Sequence, residues 1–575
     1  MSSFRSTPGR KRLLGAGLTL VLLAQVTIPG LAAEDEERVA HVISRLSFGA
    51  KPGEIEAVEK EGVENYIRRQ LHPDSQPLPA DLEKLGQLDA LAKDPVYLFL
   101  NYGKPAIKAL AKSNGQGDKD DKEAKKIIGE TYRRMYQEAA LARVRRAVES
   151  PRELQEVMTD FWFNHFNISQ EKGLDHVWIG SYEERAIRPY ALGRFRDLLG
   201  ATAHHAGMLF YLDNWQNTAA SYKEERVAPA FAERFNKDKE AKLPARRNRF
   251  QGINENYARE LMELHTLGVD GGYSQKDVQE LARVLTGLGL PKGAGGGRGP
   301  GGPSGQEQMM FAQNQGAGAG AGAAVGARRR LGRGAIIREY GGGETIVGNR
   351  ELGYYFDPSR HDQGEKVLLG KVIKAEGEAE IEKVLDLLAR HPSTARHISF
   401  KLAQYFVADK PPQTLVDKLS KSFSESDGDI AAVLNTLFHS SEFYDKNYRG
   451  KKFKSPYRYV ISSLRATDSR VEDVKPLLNF LKQTGQPLYQ CLTPDGYKNT
   501  KEAWLNPDNL INRLNYATVL GTSRYPGITT RVKDPSQVAD ACTTDLSAAT
   551  VSAVKQAPSQ LKAALVLGSP EFMMY

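Results

Sequence analysis

At 575 residues the chain can bury a substantial core and has room for more than one domain. Its 40% hydrophobic and 26% charged content is that of a globular protein and excludes a wholly disordered or fibrous one. The net charge of +9 sits largely in the N-terminal leader and in linkers, so it does not argue for a nucleic-acid partner.

The first 33 residues stand apart. Arg5, Arg10, Lys11 and Arg12 precede an apolar run from Leu13 to Ile28, and small residues follow up to Ala33. A basic start, a short apolar run and small residues at the end predict a secretory signal peptide over 1–33. The run is shorter than the ~20 residues needed to span a bilayer. No transmembrane span is expected after cleavage. No cysteine follows for lipid attachment, and Lys11 splits what would be a twin-arginine pair. The expectation is a bacterial exported protein, periplasmic or secreted.

Helical periodicity dominates the rest. Ser150-Pro151-Arg152-Glu153 predicts a helix start, with Ser150 as N-cap, Pro151 in the first turn and Glu153 reaching back. Ser274 and Asp277 predict another, carrying Val278, Leu281, Ala282 and Leu285. Glu380 to Ala389 and His397 to Val407 read as two more. Alternating apolar runs are few, so the predicted fold class is all-α, or nearly so: a multi-helix globular bundle with long loops. Three stretches break the pattern: Ser113 to Lys126 (charged), Asn236 to Arg249 (basic), and Pro291 to Gly343 (Gly-, Ala- and Arg-rich). The last is expected to be disordered, because such composition cannot bury enough apolar surface to offset chain entropy. Its Arg328-Arg329-Arg330 cluster reads as part of a solvated loop or as a contact for anionic lipid or polysaccharide. The expected organisation is leader 1–33, an N-terminal helical half 34–290, the insertion 291–343 and a C-terminal helical half 344–575. Cys491 and Cys542 are either two free thiols or a disulfide, which would stabilise by about 4 kcal/mol through chain entropy.

The segment NENYARELMELHTLG (Asn254–Gly268), followed by GGYSQKDVQELARVLTG, resembles the signature of a large bacterial family, domain of unknown function 1800. FWFNHF (Phe161–Phe166), MLFYLDN (Met208–Asn214), FDPSRHDQGEK (Phe356–Lys366), HPSTARHISFKLAQYFV (His391–Val407) and GQPLYQCLTPDGY (Gly485–Tyr497) match the family in order along the chain. The resemblance implies a secreted helical protein and assigns no catalytic residue. One departure is Leu288, where the family usually carries Trp.

The chain has no His-Glu-x-x-His, Gly-x-Ser-x-Gly, Walker-type loop or Cys-x-x-Cys, which argues against several well-marked enzyme classes. On a helical wheel Glu255, Arg259, Glu263 and Thr266 share one face of the signature helix, opposite Tyr257, Leu261 and Leu264. That face is either an ion-paired surface or a cleft wall, with Arg259 for an anion and a Glu as base or metal ligand. His265 falls off it and reads as a core residue. On the helix from Pro151, His165 shares the buried stripe with Leu154, Met158, Phe161 and Trp162. It is either a hydrogen-bonded structural residue or a neutral imidazole at the floor of an apolar pocket. His361 and Asp362 occupy a loop-like stretch, for function or for turn chemistry. Asp213-Asn214 reads as a cap, and His204-His205 as a poor metal pair.

Two functions follow. The first is an exported enzyme gathering His165, Glu255, Arg259, Glu263, His361 and Asp362. Its acid–base or metal-assisted chemistry, the latter on a divalent metal as cofactor, would act hydrolytically on an envelope or extracellular polymer. The second is a non-catalytic binding or assembly protein of the envelope, partnered with a polymer or another exported protein.

Overall fold

The amphipathic segments fold into helices whose apolar stripes converge on one hydrophobic core. A computed structural model describes residues 29–103, 119–222, 252–290, 339–341, 344–532, 534, 536–543 and 546–575. Residues 1–28 of the predicted leader, the basic stretch 236–249, the Arg328–Arg330 cluster and most of the insertion lie outside them. The fold is all-α apart from short strands. The first helices are α1 (Pro29–Leu46), α2 (Glu54–Glu61) and α3 (Val63–Leu71). A long α4 (Lys119–Glu149) and α5 (Glu153–His165) follow. α4 begins inside the stretch expected to be an irregular interruption, so its charged start is helix from Lys119 onward. The signature segment forms α6 (Asn256–Glu263), and α7 is Gln275–Val284. In the C-terminal half α8 (Glu378–Ala389), α9 (Pro392–Phe406) and α10 (Pro456–Ala466) carry the residues that matter below.

Among the described residues eight strands make three small sheets. β1 (Leu288–Gly289), β2 (Glu339–Gly341), β3 (Glu344–Asn349) and β4 (Tyr354–Phe356) form one in the order β1-β4-β3-β2. β5 (Lys366–Leu368) pairs with β6 (Lys371–Ile373), and β7 (Ser469–Val471) with β8 (Ile528–Thr530), all antiparallel. None exceeds six residues, which is why no sheet-length alternation shows in the sequence. Leu288 lies buried opposite Phe356.

The start of α7 is as expected: Ser274 Oγ accepts from the Asp277 N–H while Asp277 accepts from the Ser274 N–H, a complete capping box. The start of α5 is not. The helix begins at Glu153, and Ser150 Oγ only accepts from the Arg152 N–H. Glu153 turns its carboxylate away from the cap. Tyr66 Oη donates to it at 2.7 Å and the Arg465 guanidinium pairs with it. The same Arg465 Nη2 lies 3.0 Å from Glu54 Oε2. One fully buried arginine of α10 thereby holds α2 and α5 together.

That link is one of several between distant parts of the chain. Arg458 of α10 donates to the Ser44 and Ser47 carbonyls at 2.6 Å each, and His41 Nε2 bonds the Phe443 carbonyl at 2.8 Å. Buried Arg143 and Arg188 share Glu183, with Asp160 and Glu156 completing the network.

Candidate functional site

The end of α6 sets the site. Helical geometry stops at Glu263, and the turn widens: the His265 N–H bonds to the Glu260 carbonyl at 3.0 Å and the Leu267 N–H to Met262 at 2.8 Å. Each bond spans five residues instead of four, so the wheel drawn for a regular helix fails here. Thr266, placed by the wheel on the polar face, is fully buried and donates from Oγ1 to the Leu261 carbonyl at 2.7 Å. His265 swings into the core.

There it meets His165, the last residue of α5. His165 Nε2 lies 3.1 Å from the His265 carbonyl, so that nitrogen carries the proton and Nδ1 presents a bare lone pair. The His165 ring sits among Phe161, Trp162 and Phe166, with centroids at 6.4, 5.5 and 4.5 Å. His397 of α9 completes the group. Its ring centroid is 6.1 Å from that of His165, and His265 is 6.3 Å from His165. The Leu264 carbonyl accepts from the His397 ring. Gly268, at φ +86°, brings its backbone so close that an added Cβ would stand 3.0 Å from His397 Nδ1. One buried nitrogen on each imidazole has no partner among the described residues: His165 Nδ1, His265 Nε2 and His397 Nε2.

One turn beyond His397 on α9 stands Lys401, half-buried and without a hydrogen bond or ion pair to any described residue. Burial, with Lys498 adding repulsion against the pull of Asp495, brings its amine down to about 8. Burial and then Lys401 and His397 bring His265 down to about 3; burial and Lys401 bring His397 down to about 4. His165 is pushed well below the ordinary imidazole value by burial, then by Lys401 and the two other rings. At neutral pH all three imidazoles are proton acceptors, and Lys401 is the one cation among them.

The loop over this group is held by the asparagines of FWFNHF. Asn164 Nδ2 donates to the Tyr497 carbonyl at 2.8 Å and Asn164 Oδ1 accepts from the Tyr497 N–H at 2.7 Å. Asn167 donates to the Cys491 and Thr493 carbonyls at 3.1 and 2.8 Å. Gly496, at φ +71°, lies so close to Asn164 that an added Cβ would be 2.2 Å from its carbonyl oxygen. The motif thus sends its histidine inward and its asparagines outward to the loop carrying Asp495. Cys491 in that loop and Cys542 form no disulfide with each other.

Of the residues singled out in the sequence, His165 alone is in the group. Glu263 stands at its edge, accepting from Tyr273 Oη at 3.0 Å. Glu260 beside it has its carboxyl raised, by burial and then by Glu263. Glu255 and Arg259 form a surface pair at 3.3 Å, bridged by Gln275. His361 and Asp362 belong elsewhere. The His361 ring donates from Nδ1 to the Thr286 carbonyl at 2.7 Å and faces Glu380 Oε1 at 3.2 Å, while Lys366 holds the other Glu380 oxygen at 2.7 Å. All three side chains are fully enclosed and satisfied. Asp362 is clamped by Arg283 at 2.9 and 3.2 Å. His204 bonds the Gly200 carbonyl and His205 caps the next helix, as adjacent residues pointing apart should. Asp213, at φ +61°, pairs with Lys172 at 2.9 Å; Asn214 donates to the Leu285 and Leu288 carbonyls. His265, His397 and Lys401 were not foreseen. The available signal was a histidine in each of three separate signature segments (two in the third, His391 and His397), with Lys401 four residues after His397.

These segments lie within one family match. The model of a protein family described as "Protein of unknown function (DUF1800)" matches residues 41–574. The chain belongs to that family. No curated protein and no solved structure matches it. The DUF1800 match takes in all three imidazoles, Lys401 and the loop above them. Among the described residues no group of three or more His, Cys, Asp or Glu is arranged to hold a metal ion.

Proposed function

We propose that the chain is an exported enzyme that performs acid–base chemistry, hydrolytic in kind, on an envelope or extracellular polymer, with His165, His397 and Lys401 as its working groups. One observation carries the reading: three imidazoles, each with an unpartnered buried nitrogen, gather near an ammonium that makes no hydrogen bond or ion pair among the described residues. An unsatisfied buried polar atom costs about 1–3 kcal/mol, so three such atoms in one place are expensive unless they serve a ligand. Neutral imidazoles accept protons, and Lys401 near neutrality can supply or take one. His265 holds His165 in its tautomer through the backbone. Export is supported by the basic start, apolar run and small residues of 1–33.

The experiment is to incubate the full mature chain with peptidoglycan, an envelope polysaccharide and a polyester, and to read released fragments by mass spectrometry. His165→Ala and His397→Ala should lose product release at a nearly unchanged melting temperature, while Glu255→Ala keeps it. Release by both histidine variants at the parental rate sinks the assignment. Export is read separately, by sequencing the N-terminus of the protein recovered outside the cytoplasm; an intact Met1 there counts against cleavage near Ala33.

The ion-paired Glu255–Arg259–Gln275 surface favours a second reading, a non-catalytic envelope binding protein. Binding of a polymer without any product, abolished by Arg259→Ala, would select it.

A further inference from the structure

Lys401 has a feature that proton transfer alone does not require. A general base needs a lone pair, and three imidazoles already supply them. The amine stands on the same face of α9 as His397, one turn away. It is faced by His165 from α5 and His265 from the turn after α6, and by Asp495 and Lys498 from the loop above. Lys498 pairs with Asp495 at 2.6 Å. His397 and Lys401 are half-buried where His165 and His265 are enclosed, so the group opens on the side of the amine.

We infer that Lys401 is a covalent nucleophile for a carbonyl compound, an aldehyde or ketone, which it binds as an imine beside the three imidazoles. This rests on the acid–base reading above and names the substrate chemistry of the same site. The steps balance without any redox partner. The Lys401 Nζ lone pair attacks the carbonyl carbon, and the amine proton passes to a bare imidazole nitrogen, that of His397 lying on the same helix. The imidazolium hands that proton to the alkoxide, giving the carbinolamine; the imidazole then carries the second amine proton to the new hydroxyl, the C–O bond breaks, and water leaves as the C=N bond forms. Addition of water reverses the sequence. A desolvated lysine next to a second cation is the setting in which an amine is free to attack at neutral pH.

The test is reductive trapping on the full mature chain, with glycolaldehyde as probe and sodium borohydride as reductant, followed by peptide mapping. At pH 7.5 Lys401 should be labelled about tenfold faster than exposed Lys446, because far more of it is unprotonated. The rate should rise through a midpoint near 8. His397→Ala should slow labelling of Lys401 and leave Lys446 unchanged. Lys401→Arg, shown folded by circular dichroism, should lose this label alone. Labelling of Lys401 no faster than Lys446, or a midpoint near 10.5, overturns the inference. The two readings fail separately. If polymer release depends on His165 and Lys401 but no aldehyde is trapped, the amine is only a base and the acid–base reading stands. If Lys401 is trapped and no polymer is cleaved, the nucleophile stands and the polymer reading falls.

Discussion

Lys401 shows how a single side chain can trade stability for chemistry. Its ammonium is partly stripped of water, and nothing among the described residues replaces that hydration. The folded chain therefore binds the proton less tightly than the unfolded chain, in which the amine has its ordinary value of 10.5. The penalty is fully present below about 8 and fades as pH rises towards 10.5, because over that range the unfolded chain holds more protons than the folded one. Replacing the amine by an isosteric apolar group removes it. Lys401→Met is expected to raise stability at pH 7 by on the order of 2–3 kcal/mol, with a smaller gain at pH 9. Calorimetric melting at the two pH values checks this. A variant that loses stability equally at both would mean that Lys401 is held by a favourable contact, and the site would lose its strained cation.

At the scale of the element, the turn after α6 decides which histidines meet. The amphipathic spacing of this segment was legible in the sequence. Its last turn was not, because a four-residue and a five-residue hydrogen bond differ by tertiary packing and not by local composition. The cost of that ambiguity was specific. Thr266 was put on the wrong face, and His265, though rightly read as a core residue, was not connected to His165. Conversely Glu153 looked like a capping residue by spacing alone, and a distant arginine outcompeted the cap. Two substitutions separate local support from site support. Ser274→Ala removes the α7 capping oxygen and should cost about 1 kcal/mol with the imidazole group undisturbed. Gly268→Ala forces a Cβ onto a residue at φ +86° and against His397 Nδ1, so it should cost more, about 1–3 kcal/mol. It should also displace the His397 ring resonances in an NMR spectrum, which Ser274→Ala should not. Equal spectral effects from both would remove Gly268 as the support of the ring.

At the scale of the whole molecule, helix content followed from periodicity. The connection between the two halves did not, since its partners are hundreds of positions apart. Arg465 is the clearest case. Its guanidinium sits between Glu54 and Glu153, carboxylates of α2 and α5, and cannot neutralise both. Burial and then the charge of Glu153 raise the Glu54 carboxyl to about 7, against the pull of Arg465. Burial pushes Glu153 up, and Arg465, the hydrogen bonds from Glu54 and Tyr66 and the charge of Lys51 together hold it below its ordinary value, so the pair keeps one proton up to about pH 7. A carboxyl with a raised pKa stabilises the folded chain most below the unfolded value of 4.5. That contribution is lost as pH climbs to about 7, because the unfolded chain gives up its proton first. Glu54→Gln keeps the shape and the acceptor for the Lys51 N–H but can never ionise. It is expected to raise stability at pH 8 by on the order of 1–3 kcal/mol, with the gain shrinking towards nothing at pH 5. Chemical denaturation of the parent and variant at the two pH values decides it. A gain that is the same at both would mean that Glu54 carries no proton at the junction, and that Arg465 satisfies both carboxylates after all. A gain confined to pH 8 would mark the contact between the halves as the part of the molecule that loosens as the surroundings turn alkaline.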